Sequence, residues 1–198
     1  VRNDAPATTP RPYDRDRDGL VVGEGAVTLV LEDYERARAL GARIHAEVVG
    51  YSTNADGSHV TQPQAHTMER ALREALGEAG LTADAIGFVS GHGTATEWGD
   101  IAETAATRAA LGRAVPIHSL KSYFGHTMGA CGALEAWLGI EMMREGWFAP
   151  TANLETVDDR CAALDYVMGQ GRALDVEYLM SNNFAFGGIN TSLIFKRL

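Results

Sequence analysis

The sequence predicts an α/β layered fold with a largely parallel sheet, and three observations carry that prediction. Short runs of β-branched and aromatic residues, such as "AIGFVSG" (85–91) and "AVPIHSL" (114–120), alternate with longer helical runs. The helical runs repeat their apolar residues at spacings of three and four. Glycine closes most of them, at Gly41, Gly80 and Gly112, where a left-handed residue ends a helix at least cost. Strands that alternate with helices need crossovers, and crossovers produce parallel pairing between helical layers.

Residues 1–19 are dominated by Pro, Thr and Asp and read as irregular. A strand is expected from about Gly25 to Glu32, followed by a short helix over "YERARALG" that Gly41 stops. "RIHAEVVGYST" reads as a second strand and "NADGSHVTQPQ" as a loop. Met68, Ala71, Leu72, Ala75, Leu76 and Ala79 form one face of an amphipathic helix. "GDIAETAATRAALG" is an Ala-rich helix between two short strands. "TMGACGALEAWLGIEMM" is apolar in every direction and predicts a helix buried all round. "DYVM", "EYLMSNNF" and "TSLIFKR" read as three closing strands with glycine-rich turns.

Composition narrows the function. At 198 residues and 45% apolar content the chain can bury a substantial core. The formal net charge of −9 argues against nucleic acid or an anionic membrane as partner. No apolar run approaches the ~20 residues of a spanning helix and no secretory signal opens the chain, so a cytoplasmic location is expected. Cys131 and Cys161 belong to no CxxC pair, which suggests neither a disulfide framework nor zinc. Asp14, Asp16 and Asp18 alternate before Gly19 like the start of a calcium loop. The bidentate glutamate required at position twelve is absent there, because Gly25 holds that place and Glu24 falls one short. No metal is expected.

Two segments share a pattern that points to chemistry. "FVSGHGTATEWGD" and "IHSLKSYFGHTMGACG" each run from an apolar strand into a glycine-flanked histidine, small residues and a helix. Ligands of open α/β sheets bind beyond the carboxyl ends of strands, so His92 and His126 are both candidate site residues. A lone histidine in such a place is more often a core or capping residue; two in matching contexts shift the balance. Lys121, beside "YFGH" and a buried helix, must find an anionic partner or give up its charge, and Glu135 is the obvious partner. Gly187 and Gly188 form a tight turn flanked by Phe184 and Phe186. Neither cysteine follows a strand-to-helix elbow, so no nucleophile is assigned in this chain.

In order and spacing, "RPYDRDRDGLVVGEGA", "HGTATEWGD", "LKSYFGHTMGACGALE" and "SNNFAFGGIN" resemble the second half of the beta-ketoacyl-acyl carrier protein synthases, of the thiolase-like superfamily. The resemblance covers nearly the whole chain. It implies a thiolase-like layered fold whose second repeat, residues 34–198, holds a mostly parallel mixed sheet between helices, with residues 1–33 as the last strand of a first repeat. It implies a decarboxylative Claisen condensation of malonyl-carrier protein with an acyl thioester held on a cysteine of the other half. His92 and His126 match the family's active-site histidines, Lys121 its supporting lysine and Glu135 the glutamate near it. Thr94 and Thr96 match the threonines that bond the phosphopantetheine arm, and Phe186, Gly187 and Gly188 the gating loop.

No resident cofactor is implied, since phosphopantetheine arrives on the acyl carrier protein. The implied partners are that carrier, the missing N-terminal half and a second copy in a homodimer. Carrier proteins are acidic, so basic docking residues must be local or lie elsewhere. Glu97 and Trp98 stand where relatives often carry Pro-x before Gly-Asp, and Ala185 where Gly often precedes the gate phenylalanine. A non-catalytic partner subunit resembling a chain-length factor is the alternative, and His92, Lys121 and His126 argue against it.

Overall fold

The computed structural model describes residues 2–198. Eight strands and five helices follow one another in chain order: α1 Tyr34–Ala39, β1 Glu47–Ala55, α2 Ala65–Ala79, β2 Ile86–Ser90, α3 Glu97–Leu111, β3 Pro116–His118, α4 Lys121–Phe124, α5 Cys131–Glu145, β4 Trp147–Phe148, β5 Asp165–Tyr166, β6 Arg172–Ala173, β7 Tyr178–Ala185 and β8 Ile189–Lys196. Six strands build one sheet in the order β1-β8-β7-β2-β3-β5, and β4 pairs with β6 in a small ribbon. The pairs β7–β2, β2–β3 and β3–β5 are parallel, whereas β1–β8 and β8–β7 are antiparallel. The mixed, mostly parallel sheet between helices is the one expected.

The period-2 alternation of the strands divides the core in two. Val89, Ile117, Met180 and Ile194 point toward α2 and α3, with Leu72, Leu76 and Ala106 among the residues they join. Phe88, Leu179 and Phe195 point the other way and pack with Ala136, Ile140 and Met143 of α5. Close approach is set by glycine at two places. A Cβ on Gly50 would overlap the Ala75 carbonyl of α2, and one on Gly139 would come 2.5 Å from Leu179 Cδ2. Larger residues there would lift each helix off the sheet.

Two expectations are corrected, and two small elements were not expected. Residues 25–32 form no strand: they have no partner strand among the described residues, and Val30 and Leu31 are 88% and 79% exposed. Local β-propensity cannot make a strand where nothing pairs with it. Just before this segment, Val22 forms an isolated bridge to His126. Helix α5 buries a stripe, Cys131, Glu135, Ala136, Gly139, Ile140 and Met143, rather than its whole circumference, and Trp137 is 45% exposed. The β4–β6 ribbon and the one-turn helix α4 carry too few residues to leave a periodic signal.

The acidic opening is a structural turn. Asp14 is fully buried and accepts the backbone N–H groups of Asp16 at 2.9 Å, Glu155 at 2.8 Å and Thr156 at 3.0 Å. Those bonds, with Arg11 nearby, hold its carboxyl below the ordinary range although burial opposes them. Arg17 bonds Asp158 at 2.5 Å and lies 3.6 Å from Asp100.

Candidate active site

Strand β2 ends at Ser90, and the chain turns sharply so that His92 and Gly93 present their backbone N–H groups to α3. Glu103 accepts both, Oε1 from His92 at 2.5 Å and Oε2 from Gly93 at 2.7 Å, and Tyr13 Oη donates to it at 3.3 Å. A Cβ at Gly91 would overlap the Tyr13 hydroxyl, so the turn needs glycine there. Burial pushes Glu103 up to about 7 against the opposing effect of its N–H bonds. Asp100, one helical turn earlier, accepts the Tyr13 N–H at 2.7 Å and is pushed by burial up to about 6.

His126 arrives by a different route. Helix α4 stops at Gly125, whose φ of +71° suits glycine, and the next residue is tied to segment 20–23. The His126 N–H donates to the Val21 carbonyl at 2.7 Å, and its own carbonyl accepts from Gly23 at 3.0 Å. A Cβ on Gly23 would overlap the Phe124 carbonyl, so this contact also depends on glycine. The imidazoles of His92 and His126 meet edge to face, with centroids 5.2 Å apart.

Hydrogen bonds fix the tautomer of each ring. His126 Nδ1 accepts from the Met128 N–H at 3.1 Å. His92 Nδ1 lies 3.3 Å from Asn183 Nδ2, a nitrogen that can only donate. Both neutral rings therefore carry their proton on Nε2. Burial, then Lys121, push His126 down to about 4. Burial, Lys121 and His126 push His92 well below its ordinary value. Both shifts favour the neutral form of the pair.

Lys121 and Glu135 sit behind the rings, essentially without solvent contact, and pair directly through Lys121 Nζ and Glu135 Oε1. Asn183 Nδ2 donates to the second oxygen, Oε2, at 2.8 Å. In front lies an apolar cleft of about 280 Å³. His92, His126, Thr94, Thr96, Phe186 and Gly188 all line it, so the structure gathers most of the expected site residues around one space. Lys121 and Glu135 are outside that lining. Thr94 and Thr96 share a hydroxyl–hydroxyl bond of 2.8 Å. Gly187 and Gly188, at φ +82° and +75°, turn β7 into β8 and leave Phe186 56% exposed.

Three contributors were not anticipated from the sequence: Glu103, Asn183 and loop 56–64. That loop supplies His59, Val60, Thr61 and Pro63 to the cleft and bonds the glycine turn through Gly187 N–H to the Val60 carbonyl at 3.0 Å. The available signal for Asn183 was the polar pair in "SNNF", inside a strand otherwise rich in buried residues, since buried polar groups need partners. The cysteines are not poised to react. Burial raises Cys131 above its ordinary value and Cys161 to about 11. The described residues contain no cluster of His, Cys, Asp or Glu able to hold a metal. Among them no helix is long and apolar enough to cross a membrane.

Comparison with known proteins places this geometry in a family. The profile of the beta-ketoacyl synthase C-terminal domain matches residues 45–155, more than half of the chain. The chain is 43% identical over 201 residues to the 3-oxoacyl-[acyl-carrier-protein] synthase 2 of Synechocystis sp., covering 99% of this chain and 48% of that protein. The Vibrio cholerae enzyme of the same name is 43% identical over 209 residues, covering 100% and 49%. A crystal structure of a beta-ketoacyl synthase from Burkholderia phymatum superposes at a TM-score of 0.98 with 64% identity, covering 100% of this chain and 48% of that one. A type II polyketide ketosynthase solved with its acyl-carrier protein superposes at 0.93 with 32% identity, covering 100% and 49%. The chain thus spans about half the length of the curated relatives it matches. From its motifs, its paired histidines and these matches, the chain belongs to the beta-ketoacyl synthase family and carries that family's C-terminal domain.

Proposed function

We propose that this chain is the malonyl-processing half of a beta-ketoacyl-acyl carrier protein synthase, and that His92 and His126 hold the thioester carbonyl of the malonyl unit. The observation that carries the proposal is the edge-to-face pair of imidazoles at an apolar cleft, each with an N–H donor against its Nδ1. When the malonyl carboxylate leaves as carbon dioxide, the C–C bonding electrons pass into the thioester and form an enolate oxygen. Two preorganised N–H donors stabilise that oxygen most strongly as its charge develops. The enolate carbon then attacks the acyl thioester carbonyl, and the cysteine leaves as thiolate. Neutral rings suit this role, because a donor near an anion needs its proton but no titration near pH 7.

Lys121 supports the site by adding its field to the burial that favours the neutral form of both rings. Thr94 and Thr96 bond the phosphopantetheine arm of an acyl carrier protein in this reading, which their adjacency at the cleft supports. Phe186 on its glycine turn acts as the gate to the acyl pocket. The complex of a related ketosynthase with its carrier protein supports such a partner. The paired donors favour this reading over a non-catalytic partner subunit, which has no use for them. The acyl-bearing cysteine comes from outside residues 1–198, since Cys131 and Cys161 are buried with raised pKa values. Residues 1–33 are the tail that leads from that other part, packed on this domain through Tyr13, Asp14, Arg17 and segment 21–23, and the assembled enzyme is a homodimer acting in the cytoplasm.

The test is a condensation assay with malonyl-carrier protein and an acyl donor, read by product mass. The full-length synthase carrying this sequence forms the β-ketoacyl product, whereas the 198-residue chain forms neither product nor acyl adduct. An acyl adduct on Cys131 or Cys161 would contradict the reading.

A further inference from the structure

Among the described residues, Asn183 is the side chain that joins the buried ion pair to the first histidine. Its Nδ2 lies 2.8 Å from Glu135 Oε2 and 3.3 Å from His92 Nδ1, with Cys131 Sγ farther off at 3.9 Å. Glu135 Oε1 is taken by Lys121, so a chain of polar contacts runs from Lys121 through Glu135 and Asn183 to His92. The amide nitrogen has two hydrogens, and both acceptors lie within reach of that single atom. A hydroxyl would have one hydrogen to share between them, and a carboxylate none. Room for the amide comes from α5, where Gly132 has no Cβ; one placed there would come 2.6 Å from Asn183 Oδ1.

We infer that Asn183 is a positioning residue that sets the His92 tautomer, holding Nδ1 as acceptor so that Nε2 carries the proton toward the cleft. His126 obtains the same result from a backbone donor, Met128 N–H. His92 has no backbone donor in that role: its own N–H faces Glu103. His92 is thus held by two acidic residues of different helices, its backbone by Glu103 directly and its ring by Glu135 through the Asn183 amide. A histidine turned into the other tautomer would present a bare lone pair to the oxygen it must stabilise. Which nitrogen holds the proton is therefore a condition for the donor role, and this inference rests on the function proposed above.

The test uses the full-length synthase labelled with ¹⁵N-histidine, with the His92 signals assigned by their loss in His92→Ala. The unsubstituted enzyme shows Nε2 protonated and Nδ1 unprotonated at pH 7. Asn183→Leu, of similar shape, removes the donor, and malonyl decarboxylation falls roughly 10²-fold, the scale of a misplaced reacting group. An Nδ1 proton on His92 in the unsubstituted enzyme overturns the inference. So does an Asn183→Leu enzyme that keeps both the Nε2 tautomer and a decarboxylation rate within about twofold. Should the variants fail to fold, the spectrum of the unsubstituted protein still decides. Failure of that protein to decarboxylate malonyl thioesters would count against the proposed function, while the spectrum would judge Asn183 separately.

Discussion

Lys121 and Glu135 are almost completely buried, and an ion pair in that setting is a risk to stability unless both members are present. Desolvation of two charges roughly cancels their attraction, so the pair adds little net stability, whereas one member left alone is severely unfavourable. Lys121→Met should destabilise the enzyme by about 3–5 kcal/mol, and the double variant Lys121→Met/Glu135→Leu should recover much of that loss in urea titrations. Decarboxylation should not recover, because Asn183, whose amide reaches the His92 ring, has lost the Glu135 oxygen that it bonds. A double variant with normal activity would make the pair purely structural. His118 is a second buried titrating group: its Nδ1 donates to the Ala149 carbonyl at 2.7 Å, its ring meets Phe88 edge-on, and burial pushes it down to about 4. Because the folded pKa is depressed, the unfolded chain takes up the proton first as pH falls. The stability contribution is complete above about 6.5 and is lost between there and about 4, on the order of 3 kcal/mol. Urea midpoints measured from pH 7 to pH 4 should fall steeply, and His118→Gln, which keeps a donor but cannot titrate, should flatten part of that fall. An unchanged slope would show that other groups carry it.

At the scale of elements, the cleft is closed by two loops that hold each other. The Gly187 N–H donates to Val60, the Asp56 N–H donates to Gly188, and Asp56 also accepts from Ser58 and Gln64 within its own loop. Gly188→Ala would place a methyl onto the Asp56 carboxylate at a φ of +75°. We expect a loss of about 1–3 kcal/mol, the cost of a strained backbone site, and faster proteolysis at 56–64; an unaltered thermal midpoint would show that the turn relaxes freely. Much of this scale was legible in the sequence. The amphipathic face of α2, the glycine stops at Gly80 and Gly112 and the β7–β8 turn all follow from local pattern, and the structure forms each of them. The failures share a cause. Segment 25–32 and the outer face of α5 are apolar, and local pattern reports that apolar surface needs cover without saying which element supplies it. Asn183 and Glu103 were missed for the opposite reason: each is an ordinary polar residue on its own element, and its role exists only where β7, α3 and α5 converge on the His92 turn.

For the whole molecule, the sheet is what makes the site. Parallel strands β2 and β3 lie side by side, paired Val89 to Ile117 and Ser90 to His118, so the segments leaving their carboxyl ends emerge together. His92 comes directly from the first and His126 follows α4 from the second, which brings residues 34 positions apart into ring contact. The candidate pair was readable because both histidines follow strand ends with glycine neighbours; their tautomers were not, because those depend on Met128 N–H and Asn183. The central claim is that these rings act on malonyl decarboxylation. It is tested most directly in the full-length synthase by following carbon dioxide release and trapping labelled acyl-enzyme in His92→Ala and His126→Ala. Loss of a single preorganised donor should slow decarboxylation by ~10²–10³-fold while acyl-enzyme formation stays largely intact. Alanine variants that release carbon dioxide at near-normal rates would contradict the account and leave both histidines with a structural role alone.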